Sequence, residues 1–461
     1  MQTRRVAALA AIAMVALAAG AQDAWQVGRR PSGAVVAPTG QLLRPAGQTL
    51  EFAGRPVDLA LSPDGETLYA KDNRGVVVID VPSWSMRQEA PFPEGGGSMH
   101  GIAVSDAGDV FATTAQSHLW RAAPDEAGQL AWSSSRTLTS SHMDGAAHAT
   151  GGALGAGKHP DLLCMSRANT LAIVGEEGLE EEIAVGVAPY DVVVSPDGST
   201  AYVSNWGGRR PGVDDLTASS SGTDVVVDER GVGASGTVSV VDLERREVVA
   251  ELAVGLHPSD LVLTRDGARL YVANANSDTV MLIDTRRLEV INTATVRPDH
   301  RLAFGSMPNA LALSDDGKTL YVACGGNNAV AVMSVEGRDL TLQGWIPTGW
   351  YPSALVATPE SLYIANVKGV GSRSQREDDN GWNVHRHRGS VQIVAIPVPQ
   401  DTLDAYTRQV IADGRVPHML RATERASAAA EPQPVPAAMG DPSVFEHVVY
   451  VIKENRTYDQ V

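Results

Sequence analysis

The chain has 461 residues, 43% of them hydrophobic, and a formal net charge of -17; it is long enough for one large globular domain with a smaller companion. Such an acidic surface argues against nucleic acid or an anionic lipid surface as partner, since like charges repel. Aromatic residues supply only 5% of the chain, which leaves small and β-branched side chains to fill the core.

Residues 1–21 read as a secretory signal peptide. Arg4 and Arg5 form a basic start, Val6 to Ala19 an apolar run too short to span a bilayer comfortably, and Ala19-Gly20-Ala21 a small-residue cleavage site before Gln22. No Cys follows the run for lipid attachment. The expected mature protein is secreted or periplasmic, with no stable membrane span after cleavage.

From Pro56 a phrase recurs. Pro56-Val57-Asp58-Leu59-Ala60-Leu61-Ser62-Pro63-Asp64-Gly65, then Thr67-Leu68-Tyr69, returns from Pro189 to Tyr202, Pro258 to Tyr271 and Pro308 to Tyr321, with Gly nine and Tyr thirteen residues after Pro in all four copies. Alternating apolar positions such as Val192 and Val194 predict a strand. Ser-Pro-Asp-Gly then predicts a tight turn, since Pro presets φ, Asp bonds its local backbone and Gly accepts a left-handed conformation. A second strand re-enters as Leu-Tyr-Val, a third follows (Thr279 to Asp284), and a fourth closes the unit (Glu289 to Val296). Repeated four-stranded antiparallel units describe propeller blades better than an open sheet, because radial repetition leaves few exposed edges.

Degenerate copies complete the series, with starts near residues 56, 99, 149, 189, 258, 308 and 352. The expected fold class is therefore all-β, a seven-bladed propeller over residues 22–397. The last blade offers three clear strands, so Thr49 to Ala53 is expected to return as its outer strand. The repeat resembles the YVTN family of β-propeller proteins, in which Pro, Asp-Gly and Tyr-Val-Ala-Asn elements stand at fixed offsets. That resemblance implies a scaffold and leaves the function open, because such propellers host lactonases, haem-binding domains and interaction modules.

Within the repeats, Asp64, Asp197, Asp266 and Asp316 are explained by their turns, and Asn205, Asn274 and Asn366 read as local backbone caps. Cys164 and Cys324 fall in non-adjacent blades, too far apart to bridge, and are expected as packed free thiols. His100, His118, His159, His257 and His300 show no ligand spacing, and His257 reads as part of a blade connection. No catalytic residue and no cofactor is assigned to the propeller.

Two insertions lie between second and third strands and so emerge on one rim. The first runs from Trp206-Gly207-Gly208-Arg209-Arg210 to Ser235, and the second from Lys368 to Gly389, with Asp378, Asp379, Trp382, His385 and His387. Loops this long are functional or disordered. A metal held by His385 and His387 with Asp378 and Asp379 is one reading, but alternate histidines in an Arg-rich loop read rather as solvated surface. A docking face for a second domain or another protein accounts for both insertions together.

After Pro397 the composition shifts. Residues 398–444 hold a predicted helix, capped by Asp401, with Leu403, Tyr406, Val410 and Ile411 on one face and Gly414 as its stop, followed by an Ala/Pro-rich linker. Val448 to Ile452 is a continuous apolar run, the pattern of a strand buried on both faces in an α/β sheet. Lys453-Glu454-Asn455-Arg456-Thr457-Tyr458-Asp459 follows it.

That segment resembles the opening of the phosphoesterase family of the alkaline phosphatase superfamily, in which a hydrophobic strand leads into Glu-Asn-Arg-Thr/Ser-Phe/Tyr-Asp. The resemblance implies that residues 445–461 begin an α/β phosphoesterase domain, with Glu454 and Asn455 contributing to a divalent metal site whose other ligands and nucleophile lie beyond Val461. Three functional readings follow. In the first, the chain is the exported propeller of a two-domain metal-dependent phosphoesterase, inactive by itself and docked to its own C-terminal domain. In the second it is a free-standing interaction propeller, and in the third a lactonase, which requires a convergent acid or base and cationic residues in the central channel.

Overall fold

The computed structural model describes residues 26–154, 159–371, 387–425, 431–436 and 441–449. Seven four-stranded antiparallel sheets dominate it. Sheet 1 comprises Asp58–Leu61, Thr67–Lys71, Gly75–Asp80 and Ser85–Pro91; sheet 2 comprises Gly97–Val104, Val110–Thr114, His118–Pro124 and Leu130–Thr137. Sheet 3 comprises Ala149–Ala153, Asp161–Met165, Thr170–Gly175 and Gly178–Ala184, and sheet 4 comprises Val187–Val194, Thr200–Gly208, Thr237–Asp242 and Glu247–Ala253. Sheet 5 comprises Pro258–Leu263, Arg269–Asn274, Thr279–Asp284 and Glu289–Thr295; sheet 6 comprises Pro308–Leu313, Thr319–Cys324, Ala329–Glu336 and Asp339–Pro347. Sheet 7 comprises Trp350–Ala357, Ser361–Gly369, Arg388–Ala395 and, as its outer strand, Gln48–Ala53 from the start of the chain.

The first strands touch one another in a closed cycle, sheet 1 to sheet 2 and onward until sheet 7 meets sheet 1. They therefore line a central channel. The cycle is sealed by Gln48–Ala53, which pairs antiparallel to Arg388–Ala395 with Leu50 opposite Val391.

Each gap between neighbouring sheets is filled by its own apolar cluster. Tyr69, Val78, Ile102 and Ala112 pack between sheets 1 and 2, and Leu270 and Val272 meet Tyr202 and Val240 between sheets 4 and 5. Phe52, Leu68, Tyr363 and Val391 close the seam between sheets 7 and 1. The recurring Tyr is thus a packing residue, as at Tyr271, which is wholly buried. The Asp-Gly turns are solvent-exposed loops in which Asp64 accepts from the Ser62 hydroxyl at 2.5 Å and the Glu66 amide at 3.0 Å.

Polar side chains staple adjacent sheets at repeated positions. The residue before a third strand takes a left-handed conformation and accepts an amide from the start of the next sheet: Asn169 from Ala188 at 2.8 Å, Asp278 from Met307 at 3.1 Å, Asn328 from Tyr351 at 3.0 Å. Asn205, Asn274 and Asn366 depart in part from the local backbone caps expected from the sequence: of the three, Asn274 donates to a nearby carbonyl, that of Val272 at 3.4 Å. They are fully buried, and Asn205 donates to the Thr237 and Ser239 hydroxyls while Asn366 donates to Ser390. Each lies on a second strand beside a buried third strand, which brings hydroxyl partners across the sheet within reach.

A small sheet of Gly28–Arg29, Val35–Val36 and Leu42–Leu43 precedes the ring, and Val35, Ala37 and Leu43 pack with Trp350 and Val370. Helix α1 (Gln400–Asp413) covers the outer strand of sheet 6, burying Leu403 and Val410. Its N-cap is Pro399, with Asp401 inside the first turn. Asp401 therefore complements the positive helix start rather than capping it, a correction of two residues. Gly414 ends it by donating to the Val410 carbonyl at 2.9 Å, and Asp413 is held by Arg44 at 2.6 Å. A second helix, α2 (Val416–Arg425), follows where only linker was expected; Pro417 sits in its first turn, where a missing N–H costs little.

Cys164 and Cys324 are free and buried. Val448 and Val449, expected to begin a buried strand, lie outside any strand and are 83% and 87% exposed. Among the described residues no strand pairs with them, and an apolar run without such neighbours cannot satisfy its backbone. The rest of that run, with Glu454 and Asn455, and residues 1–21 fall outside the described residues. No helix among the described residues is long and apolar enough to cross a membrane.

Candidate functional site

One end of the channel gathers the chemistry. First strands begin there and second strands end there, so the repeat delivers equivalent positions from all seven sheets to one ring. Asp58, Asp191 and Asp260 occupy one such position, two residues after the recurring Pro. Each carboxylate reaches the following sheet: Asp58 Oδ2 accepts from the Gly101 and Ile102 amides at 2.7 and 3.0 Å, Asp191 Oδ2 from Leu261 at 3.1 Å, and Asp260 Oδ2 from Leu311 at 2.6 Å.

His100 sits among them. Its Nδ1 lies 3.1 Å from Asp58 Oδ2 and its Nε2 lies 3.5 Å from Asp191 Oδ1, and donor atoms of His100, Asp191 and Asp260 all fall within 4.8 Å of one another. Burial disfavours a charged imidazole, but the Asp58 and Asp191 carboxylates outweigh it and hold His100 protonated up to about 9. Burial likewise opposes ionisation of Asp191, yet the His100 contact keeps its carboxyl below the usual range. Asp260 goes the other way: burial, then the Asp191 charge, pushes it well above that range. In the neighbouring first strand the equivalent position is Gly151, where a Cβ would stand 2.7 Å from Asp191 Oδ1 and 2.8 Å from His100 Cδ2. The absence of a side chain there lets sheets 2 and 4 meet across sheet 3.

Below this group lies Lys71, fully buried at the end of a second strand. Its ammonium donates to Ser98 Oγ at 2.9 Å, Thr113 Oγ1 at 2.9 Å and the His100 and Gly101 carbonyls at 2.6 and 3.2 Å. Burial pulls its pKa down to about 7, with Asp58 opposing. The equivalent residues Thr113 and Ser204 reach the next sheet in the same way, donating to the Thr150 carbonyl at 3.1 Å and the Ser259 carbonyl at 2.5 Å.

Above the acidic group runs a ladder of rings. His100 stacks on Tyr190 at 5.2 Å, Tyr190 on Trp206 at 4.2 Å, and Trp206 on His257 at 4.3 Å. Trp206 and His257 are half-buried, and Trp206 Nε1 and His257 Nδ1 have no hydrogen-bond partner. Burial drops the His257 pKa to about 4, so this ring is neutral. On sheet 7, Lys368 Nζ lies 4.9 Å from the Trp350 ring centroid and 5.3 Å from that of Tyr351.

Of the rim residues singled out by sequence, Trp206 belongs to this ladder. Arg209 pairs with Asp215 at 2.6 Å, and Arg210 donates to the Val185 and Asn169 carbonyls at 2.8 Å. Both anchor the first insertion, which folds as a hairpin of Thr217–Ser220 and Thr223–Val226. The His387 carbonyl accepts from Gly54 at 2.9 Å, beside the closing strand. Asp378, Asp379, Trp382 and His385 lie outside the described residues. His257 does serve the sheet connection, with φ 54° and its carbonyl accepting from Ala275 at 3.0 Å. Sequence reading missed His100, which sits in a copy of the phrase that lacks its Pro. The signal was the Asp shared by three copies of the phrase.

The YNCE-like beta-propeller family matches residues 212–369, about a third of the chain. Hydrazine synthase from Kuenenia stuttgartiensis is similar in structure at 16% identity and a TM-score of 0.56, with 77% of this chain and 99% of that one covered. The fold is a β-propeller. At that identity the likeness extends to fold alone, and no curated protein matches the sequence.

Proposed function

We propose that this β-propeller is an exported binding scaffold, that its channel mouth is the docking face, and that its partner is a metal-dependent phosphoesterase domain continuing from the terminal Glu454-Asn455 segment. The observation that carries the docking reading is the ladder of Tyr190, Trp206 and His257, whose outer rings, Trp206 and His257, are part-exposed beside the start of the first insertion. Stacked, part-exposed rings suit recognition of a planar or amphipathic group. The phosphoesterase part rests on the resemblance of residues 445–461.

Lactone hydrolysis is less well supported, because the channel base it needs is engaged. His100 faces a carboxylate on each nitrogen, and Asp58, Asp191 and Asp260 each accept an amide of the next sheet.

The test compares this chain with the product of a reading frame continued past Val461, using p-nitrophenyl phosphate and its bis-ester with and without chelator. Chelator-sensitive hydrolysis by the longer product alone is expected. In that product, Trp206→Ala should weaken cross-linking between propeller and C-terminal domain. A reading frame that stops after Val461, or ester hydrolysis by residues 26–397 alone, would overturn the reading.

A further inference from the structure

We infer that His100, Asp191 and Asp260 form a binding site for a divalent first-row metal ion inside the channel, with Asp58 orienting the imidazole from behind. This goes beyond the docking reading and does not depend on it. The three ligating side chains come from sheets 2, 4 and 5, so the ion would tie sheet 2 to the adjacent pair of sheets 4 and 5 across sheet 3.

The geometry is that of a prepared site in three respects. First, Asp58 Oδ2 lies 3.1 Å from His100 Nδ1 and is itself pinned by the Gly101 and Ile102 amides. A carboxylate behind a histidine holds the ring with Nε2 turned to the opposite side, where it can ligate once its proton is displaced, the arrangement that supports metal-bound histidines. Second, Nε2 faces Asp191 Oδ1 at 3.5 Å, close to the separation of about 3–3.6 Å between neighbouring ligands of an ion bound at about 2.0–2.2 Å. Third, backbone amides fix both carboxylates in place: Asp191 Oδ2 accepts from Leu261 with Oδ1 turned toward His100, and Asp260 accepts from Leu311 on Oδ2 and from Leu261 on Oδ1 at 3.0 Å, so an ion would use the remaining lone pairs of oxygens already held in position. Gly151 keeps the space between His100 and Asp191 clear of a side chain.

One imidazole with two carboxylates favours Zn²⁺ or Mn²⁺ over Ca²⁺ and Mg²⁺, which prefer oxygen-only shells.

The test is titration of chelator-stripped full chain with Zn²⁺ by calorimetry and with Mn²⁺ by electron paramagnetic resonance. About one tight equivalent is expected, together with a rise in thermal midpoint at saturating metal. His100→Gln and Asp260→Asn should weaken binding at least about 100-fold, and Asp58→Asn by about 10–100-fold. A His385→Ala/His387→Ala variant should bind as the parent does. Zinc-edge absorption spectroscopy of the unaltered protein keeps the test open if variants misfold: one imidazole with carboxylate oxygens is expected. No tight equivalent, undiminished binding by His100→Gln, loss only in the His385/His387 variant, or a shell of sulfur or several imidazoles would each overturn the assignment.

Discussion

Gly151 illustrates how much one missing side chain decides. Its neighbours Tyr190, Asp191 and His100 approach so closely that a Cβ would fall 2.7–2.8 Å from each. Gly151→Ala is expected to lower stability by about 1–3 kcal/mol through overpacking, read from urea unfolding midpoints. The turn carboxylates give a prediction with a definite pH window. Asp197 accepts from the Ser195 and Ser199 hydroxyls and the Ser199 amide, which lower its pKa from 3.8 to about 2. A depressed carboxylate pKa contributes stability above the unfolded value and loses it as pH falls through the folded one. The difference between parent and Asp197→Asn should therefore be full at neutral pH, shrink below about pH 4 and vanish near pH 2 in acid-unfolding curves. These turn residues were legible in the sequence because their partners lie within two positions. Asp58, Asp191 and Asp260 stood in the same phrase, but their partners are tens of residues away in the next sheet, and no local pattern reports such a contact.

Among the elements, the strands were legible because each carries its own period and turn. Gln48–Ala53 was reachable by the same logic, since sheet 7 offered only three strands and a ring tolerates no open edge. Helix α2 was not, because Pro417 reads as a breaker unless its place in a first turn is known. Phe52, 3% exposed in the seam between sheets 7 and 1, lies on the closing strand. Phe52→Ala should destabilise the protein by about 3–5 kcal/mol in chemical denaturation. Leu403, on helix α1, packs on the outside of the ring against Ile346 and Val394. Leu403→Ala should release α1 first, seen as faster amide exchange over residues 400–413 with sheet amides unchanged.

For the molecule as a whole, every sheet is clamped by two neighbours through an apolar cluster and by side-chain staples such as Lys71 and Ser204. Linear repeat arrays can fray from their ends, but a closed ring has none. A single cooperative unfolding transition is therefore expected, with calorimetric and van't Hoff enthalpies in agreement; two separated transitions within residues 26–397 would contradict it.

The seam between Gln48–Ala53 and Arg388–Ala395 also sets an order of events. The strand made first must stay unpaired until one made more than three hundred residues later arrives, so the last step of folding is also its longest-range contact. A chain interrupted anywhere in the ring would keep its bare edge and invite proteolysis or a neighbour's strand. The seam works as a built-in inspection: only a full-length ring can hide its own first strand.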